Sequence, residues 1–421
     1  MNTFFVEHAY QVEHFLKNTD CADADWLALG PSAMHYLAGK NLPYTIPEDY
    51  VGLNEIEGAC KVQFEQLHNV CGKIDDRLQE IDPFLKKWNI RPFLFHLWQL
   101  GMVFDAVLSR ALWIRKILTK FDVCKDKIYT HMTPLQPWTL FGLGFGKHET
   151  LWGRLLLLSE WADSVIPVLD PNKNLHTETR HKKVDSIKNV LRKVVNSNIL
   201  LRSVVISYQQ KMLQNILNLI GTNKKQHIMV MNNPYEWPDI LRILISSNIS
   251  ILFLNESILG NIYTEDNVSE IDGNELCLYF FANMVHEGID FFDILGDRIR
   301  WIIEKGPSVA RAIIEKMEKI CFNKMPIAVL SMSTPDYLNY IIKQFFVAKS
   351  IPVLSWQYGA VWYEKDITQR HDLFDKTGTN ILLTFGNGVK NAYKLSGMPE
   401  NIVIESIGSA ILDNLSMETR G

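Results

Sequence analysis

The residues best suited to chemistry follow a short apolar run in the last quarter of the sequence. The run "IPVLSW" continues into "QYGAVWYEKD" (residues 357–366), which brings together an amide, three aromatic rings and two carboxylates. Aromatic faces can stack on sugar rings or bases, and amide and carboxylate groups bind hydroxyls or accept protons. Packing gives no reason to follow a buried strand with such a loop. The pattern predicts a ligand-binding loop with Gln357, Tyr358, Gly359, Trp362, Glu364 and Asp366.

Four other apolar runs end in polar or glycine residues. They end in "NNPYEW" (232–237), "SMSTPDY" (331–337), "FGNG" (385–388) and "IGSAILD" (407–413). In an open parallel sheet, ligands bind at the carboxyl ends of the strands, where helix N-termini offer unpaired N–H groups. "STPD" and "NNPYEW" are also suited to helix capping, and "FGNG" to a turn with positive φ at Gly386 or Gly388. The ligand-binding interpretation names Asn233, Glu236, Gly386, Asn387, Gly388 and Ser409.

Several other motifs lack the spacing that their chemistry requires. "FGLGFGKHET" is not a phosphate loop, because Phe141 stands where the first glycine should be and His148 follows Lys147. "HEGID" lacks the second histidine of a zincin, and the six cysteines include no CxxC pair. The sequence therefore predicts no metal site and no bound cofactor.

The elements that must position these residues alternate between short apolar strands and longer amphipathic helices. This rhythm predicts an α/β protein with parallel sheets and two Rossmann-like lobes. We expect an N-terminal lobe over residues 1–183 and a second over 184–421, separated near the polar stretch "PNKNLHTETRHKK". Residues 50–121 are helical in pattern and form a large insertion in the first lobe. The first lobe is predicted to begin with strands at 26–30 and 42–46.

Composition narrows the choice of partners and location. The 43 basic and 47 acidic residues give a net charge of −4, so no overall positive field favours nucleic acid. The N-terminus lacks the apolar core of a signal peptide, and no apolar run reaches the roughly 18 residues that span a bilayer. We expect a cytoplasmic protein, and association with the membrane face through a partner or a surface patch stays open.

The strand ends give the sequence a resemblance to a bacterial protein class. "DWLALGPSAMHYLAGKNLPYTIPEDY" and the ordered series "PVLSWQYGA", "ILLTFGNGVKNAY" and "VIESIGSAILD" resemble surface-carbohydrate biosynthesis proteins of the capsule and O-antigen class. That class has a GT-B-like glycosyltransferase architecture. The chain is more distantly similar to CDP-glycerol glycerophosphotransferases and capsule-polymer transferases. In those transferases one strand ends in Gln/Trp-His-Gly, and the next ends at a small-residue turn before a helix. A third strand ends in Gly-x-Pro-x-x-Asp.

Matched residue by residue, the resemblance covers most of the second lobe. The matching positions are Gln357 and Gly359 in the first motif, Gly386 to Gly388 in the turn, and Gly408 and Asp413 in the last motif. Tyr358 stands where the distant group has the histidine implied as catalytic base, and Ala410 stands where it often has proline. Tyrosine is a poor base at neutral pH because its ordinary pKa is near 10.

The resemblance implies transfer of a sugar from a nucleotide-activated donor, acting as substrate, to a polysaccharide or glycolipid acceptor. Glu364 or Asp366 then becomes the general base, and Lys390 with the helix start after Gly388 offsets phosphate charge. The lack of an Asp-x-Asp pair fits metal-independent chemistry. In the resembling group a donor-binding lobe follows the last motif, whereas only "NLSMETRG" follows here. Either the two lobes are arranged differently, or the chain lacks its donor lobe.

Two other function classes stay open at this point. One is a non-catalytic carbohydrate-binding or nucleotide-binding component of a polysaccharide assembly complex. The other is an enzyme similar to sugar-nucleotide epimerases, whose lobes have the same rhythm of strands and helices and which needs no acceptor.

Overall fold

The structure is a computed structural model of the 421-residue chain. It describes residues 2–21, 23–119, 127–132, 151–159, 162–169, 227–231, 250–254, 271–284, 291–322, 325–332, 337–357, 377–395 and 401–408. The fold is α/β and contains two sheets whose strands all run parallel. The predicted fold class is confirmed at this level.

The chain divides into two compact units, and each unit is built from several stretches of sequence. The first unit contains Met1–Val70, Gln99–Ser197 and Phe281–Gly296. The second unit contains Cys71–Trp98, Asn198–Phe280 and Asp297–Gly421. The helical stretch between residues 50 and 121 therefore contributes to both units. The predicted lobe boundary between residues 183 and 184 lies outside the described residues and stays a prediction.

The first unit contains a four-stranded sheet in the order β2-β1-β3-β4. Its strands are β1 (Asn2–Val6), β2 (Ala24–Ala28), β3 (Lys127–Met132) and β4 (Val165–Leu169). The helices between them are α1 (Ala9–Asn18), α2 (Pro31–Gly39) and, after β3, α6 (Leu151–Leu157). The chain goes from β1 to β2 on one side and later returns to β3 on the other side of β1. The strand order therefore reverses between β1 and β3, which makes this pair a topological switch point.

Both faces of β1 are buried, and this explains its unbroken apolar run "FFV". On one face Phe4 stacks on Trp26 at 4.7 Å between ring centroids and packs with Phe15 of α1 at 5.0 Å. On the other face Phe5 contacts Trp152 of α6 at 6.4 Å. A strand covered on both sides needs apolar residues at every position instead of at alternate ones.

The helical stretch predicted from the sequence is helical in the structure. It comprises α3 (Leu53–Ile81), α4 (Pro83–Lys87) and α5 (Pro92–Leu118). Most of α5 is buried, as its apolar faces predict. The N-terminus of α5 is capped from a distance, because the buried carboxylate of Asp75 accepts hydrogen bonds from Phe93 N at 2.9 Å and Leu94 N at 2.8 Å.

The second unit contains a six-stranded sheet in the order β6-β5-β7-β8-β9-β10. Its strands are β5 (His227–Met231), β6 (Ser250–Leu254), β7 (Ala328–Met332), β8 (Val353–Trp356), β9 (Ile381–Thr384) and β10 (Val403–Ser406). The unit's helices include α8 (Phe292–Cys321, which starts in the first unit), α7 (Gly273–Ala282, which ends in the first unit), α9 (Tyr337–Ala348) and α10 (Asn387–Leu395). The sequence predicted all six strands and the helix α10.

The second unit also buries a lysine beneath its sheet. Lys343 of α9 is 2% exposed, and its Nζ donates to Ser355 Oγ on β8 at 3.0 Å. Ser355 Oγ lies 2.7 Å from Thr379 Oγ1. These polar groups are linked to one another, as buried polar groups must be.

The structure corrects the sequence predictions at the N-terminus. The first strand of the sheet is β1, which was not predicted, and the strand predicted at 26–30 lies two residues earlier. The strand predicted at 42–46 is reduced to one bridge, in which Thr45 N donates to Trp26 O and Ala28 N donates to Thr45 O, both at 2.9 Å. Pro43 and Pro47 flank this bridge, and without N–H groups they cannot extend the ladder.

Among the helices in the described ranges, none is both long and apolar enough to cross a membrane.

Candidate functional site

Three neighbouring strands carry most of the described candidate residues at their carboxyl ends. β9 pairs with β8 on one side and with β10 on the other, all in parallel. Gln357 follows β8, Gly386 follows β9, and Gly408 follows β10. Because the strands are parallel and adjacent, these three residues lie at the same edge of the sheet. The structure thus brings together three of the positions that sequence reasoning selected separately.

Gln357 connects the ends of β8 and β9. It is 2% exposed, and its backbone N–H donates to Leu383 O at 3.0 Å. Its side-chain Oε1 accepts from the backbone N–H of Phe385 at 3.2 Å. The sequence placed Gln357 in a ligand-binding loop, and its observed contacts hold the turn after β9.

The residues after β9 form the start of a helix. Lys390 N donates to Gly386 O at 3.1 Å, so Gly386 stands at the N-cap of α10, with Asn387 and Gly388 in the first turn. The turn with positive φ considered for "FGNG" is wrong, because the positive φ values in the described residues include neither Gly386 nor Gly388. A methyl group on Gly386 would meet no heavy atom within 4 Å. Space is therefore open beside a helix N-terminus, whose first N–H groups have no partner inside the helix.

Lys390 places a positive charge within the first turns of α10. Its Nζ lies 3.4 Å from Glu405 Oε2 on β10. Glu405 was not predicted as a site residue. The alternation along "VIES", in which Glu405 is exposed and Ile404 is buried, was the signal that could have identified it.

Gly408 follows β10 in a left-handed conformation with φ of +73°. Only glycine adopts this region without strain, so the backbone conformation accounts for this glycine. The preceding residue is attached to the sheet, since Ile407 N donates to Thr384 O at 3.0 Å. Gly408 therefore interrupts the extended backbone just after β10.

The strand order places a switch point between β5 and β7, since β6 lies on one side of β5 and the later strands lie on the other. Asn233 and Glu236 follow β5 in sequence and are thus the predicted residues that follow a switch-point strand. They lie outside the described residues, as do Tyr358, Gly359, Trp362, Glu364, Asp366, Ser409 and Asp413. Their assigned roles stay predictions.

Within the described ranges, no group of three or more His, Cys, Asp or Glu side chains could hold a metal ion. The cysteines in those ranges, Cys21, Cys60, Cys71, Cys277 and Cys321, are free thiols. Comparison with protein-family models, with curated proteins and with solved structures finds no match to this chain.

Proposed function

We propose that the chain is a glycosyltransferase, or the acceptor-side portion of one, with the GT-B arrangement of two Rossmann-like lobes. It transfers a sugar from a nucleotide-activated donor to a surface polysaccharide or glycolipid. The observation that carries this proposal is the adjacency of the ends of β8, β9 and β10 in one parallel sheet. Three of the four sequence stretches that carry the resemblance, "PVLSWQYGA", "ILLTFGNGVKNAY" and "VIESIGSAILD", contain these three strands.

The start of α10 supports a site for a phosphate-bearing ligand. The positive end of the helix dipole and the N–H groups of the first turn attract negative charge. The open space beside Gly386 leaves the backbone accessible, and Lys390 adds a cation in the same helix. The Lys390–Glu405 pair is partly exposed, so a phosphate can compete for the lysine at little cost.

In this proposal the loop after Gln357 supplies the remaining groups. Gln357 holds the turn after β9 in place, and Tyr358 and Trp362 contact sugar rings. Glu364 or Asp366 removes a proton from the acceptor hydroxyl. The nucleotide sugar is itself the activated substrate, and the proposal assigns no residue to a metal ion or a further cofactor.

Nucleotide binding is the first test. Thermal unfolding of the full chain is measured with CMP-, UDP-, GDP- and CDP-linked sugars, and a ligand present at about 100 times its Kd should stabilise by roughly 2.7 kcal/mol. Lys390→Gln should reduce the shift produced by the effective nucleotide. Lys394→Gln is the matched control, since this exposed lysine lies one turn further along the same helix.

The proposal fails at the donor step if no nucleotide sugar stabilises the chain. If the nucleotide sugar shifts the unfolding temperatures of Lys390→Gln and Lys394→Gln equally, the donor does not bind at the start of α10. For a chain that binds a donor, transfer to glycan acceptors is measured with Glu364→Gln and Asp366→Asn. Full activity in both variants would exclude these carboxylates as the base, and binding without transfer would favour the non-catalytic component instead.

A further inference from the structure

The amino-terminal edge of the six-stranded sheet carries large apolar side chains that are exposed to solvent. This edge lies opposite the carboxyl ends of the strands, where Gln357, Gly386 and Gly408 stand. Phe322, directly after α8, is 84% exposed, and Leu395, the last residue of α10, is 82% exposed. They are the two most exposed large apolar residues in the described ranges. Packing inside the chain therefore does not account for either side chain.

The parallel arrangement of the strands brings further apolar residues to the same edge. α8 precedes β7 and α10 precedes β10, so each helix runs back along the sheet and ends near the start of the next strand. β8 and β9 lie between β7 and β10, so the two strand starts are about 14 Å apart. Met325 and Ile327 before β7, and Val403 at the start of β10, are also exposed. We call Phe322, Met325, Ile327, Leu395 and Val403 the amino-edge surface.

Lysines lie beside the amino-edge surface. Lys349 follows α9 and precedes β8, the strand next to β7. Its Nζ lies 5.3 Å from the centre of the buried Trp88 ring, and Lys87 Nζ lies 5.2 Å from the centre of the same ring. Lys394 precedes Leu395 on α10. All three lysines are exposed, and in the described ranges none forms an ion pair, so their charges are available to an anionic partner.

The acidic residues near Phe322 are set back from the edge. Glu318 and Glu315 lie about one and two turns before Phe322 on α8, and the exposed Lys319 lies closer to the helix end than either of them. On β10, Glu405 lies further along the strand than Val403 and is paired with Lys390. In the described part of the chain, the charged residues that most closely precede β7, β8 and β10 are all lysines, namely Lys319, Lys349 and Lys394.

The partner of this surface must cover apolar side chains and accept positive charge. A nucleic acid would bind the lysines but would leave the apolar side chains in water. A second copy of the chain, bound through the same surface, would bring lysines close to lysines. An anionic lipid bilayer satisfies both requirements, because its acyl region takes up apolar side chains and its headgroup phosphates attract lysines. A fluid bilayer also needs no complementary pocket for side chains that stand at separate strand starts.

We propose that the amino-edge surface binds an anionic lipid bilayer, with Phe322 and Leu395 inserted below the headgroups and Lys87, Lys349 and Lys394 against the lipid phosphates. The carboxyl ends of the strands, which carry the candidate site of the second unit, then face away from the lipid. The proposal does not depend on a transferase function, because it requires neither a donor nor an acceptor.

The test is co-flotation of the full chain with lipid vesicles. One set contains phosphatidylcholine alone, and the other is an equimolar mixture of phosphatidylcholine and the anionic phosphatidylglycerol. Phe322→Ser and Leu395→Ser each remove an exposed apolar side chain, and Lys349→Gln removes a charge. Val62→Ser is the apolar control, since Val62 is exposed on α3 in the first unit, and Lys17→Gln on α1 is the charge control.

We expect the chain to bind the mixed vesicles, and to bind phosphatidylcholine alone at least about fivefold more weakly, since each lysine near an anionic surface contributes about that factor. Phe322→Ser and Leu395→Ser should each weaken binding to the mixed vesicles about tenfold, and Lys349→Gln about fivefold. Both controls and Lys390→Gln should bind like the unchanged chain. Binding should also weaken as the salt concentration rises, because salt screens the attraction between lysines and headgroups.

The proposal is overturned if the mixed vesicles bind no better than phosphatidylcholine alone, or if Phe322→Ser and Leu395→Ser both bind like the unchanged chain. Sedimentation without lipid examines the second-copy alternative. Self-association that these two variants abolish, without any vesicle binding, would assign the surface to a second copy and would also overturn the proposal. No nucleotide sugar is present in these experiments, so their outcome is separate from that of the donor-binding test.

Discussion

The side-chain oxygen of Gln357 and the backbone N–H of Phe385 lie 3.2 Å apart and join the ends of two adjacent strands. The Gln357 side chain is only 2% exposed, so its amide atoms must find hydrogen-bond partners inside the protein. The hydrogen bond fixes Phe385, the residue before Gly386, which is the N-cap of α10. The start of α10 thus depends on a residue from the neighbouring strand.

Gln357→Leu should destabilise the protein by about 1 to 3 kcal/mol, because Phe385 N loses its side-chain acceptor. Urea unfolding measures this change. Gln344→Leu, on the half-buried side of α9, is the control and should change stability by less than about 0.5 kcal/mol. Equal stability of the two variants would show that this hydrogen bond does not contribute to the free energy of unfolding.

Asp75 should make stability depend on pH. Burial raises the pKa of Asp75 to about 7, although the N–H groups of Leu94 and Phe93 and the charge of Arg91 act in the opposite direction. Between the ordinary pKa near 4 and this raised value, the folded chain holds a proton that the unfolded chain has released. The resulting stabilisation is complete below pH 4 and is lost as the pH rises through 7, with a total near 4 kcal/mol.

Asp75→Asn tests this pH dependence. Asparagine offers one acceptor oxygen to the start of α5 and does not titrate. The variant should therefore lack the decrease in stability that Asp75 causes between pH 4 and pH 7. The measurement is the free energy of unfolding at several pH values for both proteins. If the difference between them stays constant across this range, the titration of Asp75 does not contribute.

Replacing either of two glycines by alanine should change the stability of the protein, in opposite directions. A methyl group on Gly153 would lie 2.6 Å from His131 O and 2.7 Å from Met132 Sδ, so Gly153→Ala should destabilise by about 1 to 3 kcal/mol. A methyl group on Gly58, inside α3, meets nothing within 4 Å. Gly58→Ala should therefore stabilise by about 0.5 to 1 kcal/mol through helix propensity. Thermal unfolding of both variants checks the signs, and a stable Gly153→Ala would mean that α6 packs less closely on β3.

Asp82 should matter more than its ion-pair partner Arg311. Asp82 Oδ1 accepts from Phe84 N at 2.9 Å as the N-cap of α4, and Arg311 Nη2 lies 3.1 Å from the same oxygen. Asp82→Ala should cost about 1 to 2 kcal/mol through loss of the cap. Arg311→Gln should cost less than about 1 kcal/mol, because the arginine side chain is 47% exposed and solvent screens its charge. Urea unfolding compares the two, and a larger effect of Arg311→Gln would contradict this ranking.

The sequence by itself determined the local elements. The strands β5 to β10 are short and largely apolar, and α3 and α5 have helical periodicity over many turns, so each could be predicted without its neighbours. The two prolines beside Thr45 were equally visible, but their effect on strand pairing was missed. The run "NTFFV" before α1 carried a strand signal that was also missed.

The tertiary structure decided which of these elements meet. Strand order in a parallel sheet depends on long crossover connections and on packing between distant residues, neither of which leaves a periodic pattern in the sequence. For this reason the adjacency of β8, β9 and β10, the hydrogen bond between Gln357 and Phe385, and the pairing of Lys390 with Glu405 appear only in the folded chain. The same holds for Asp75, which caps a helix that begins 17 residues later, at Pro92. Local patterns depend on neighbours in sequence, whereas the contacts that build a site depend on neighbours in space.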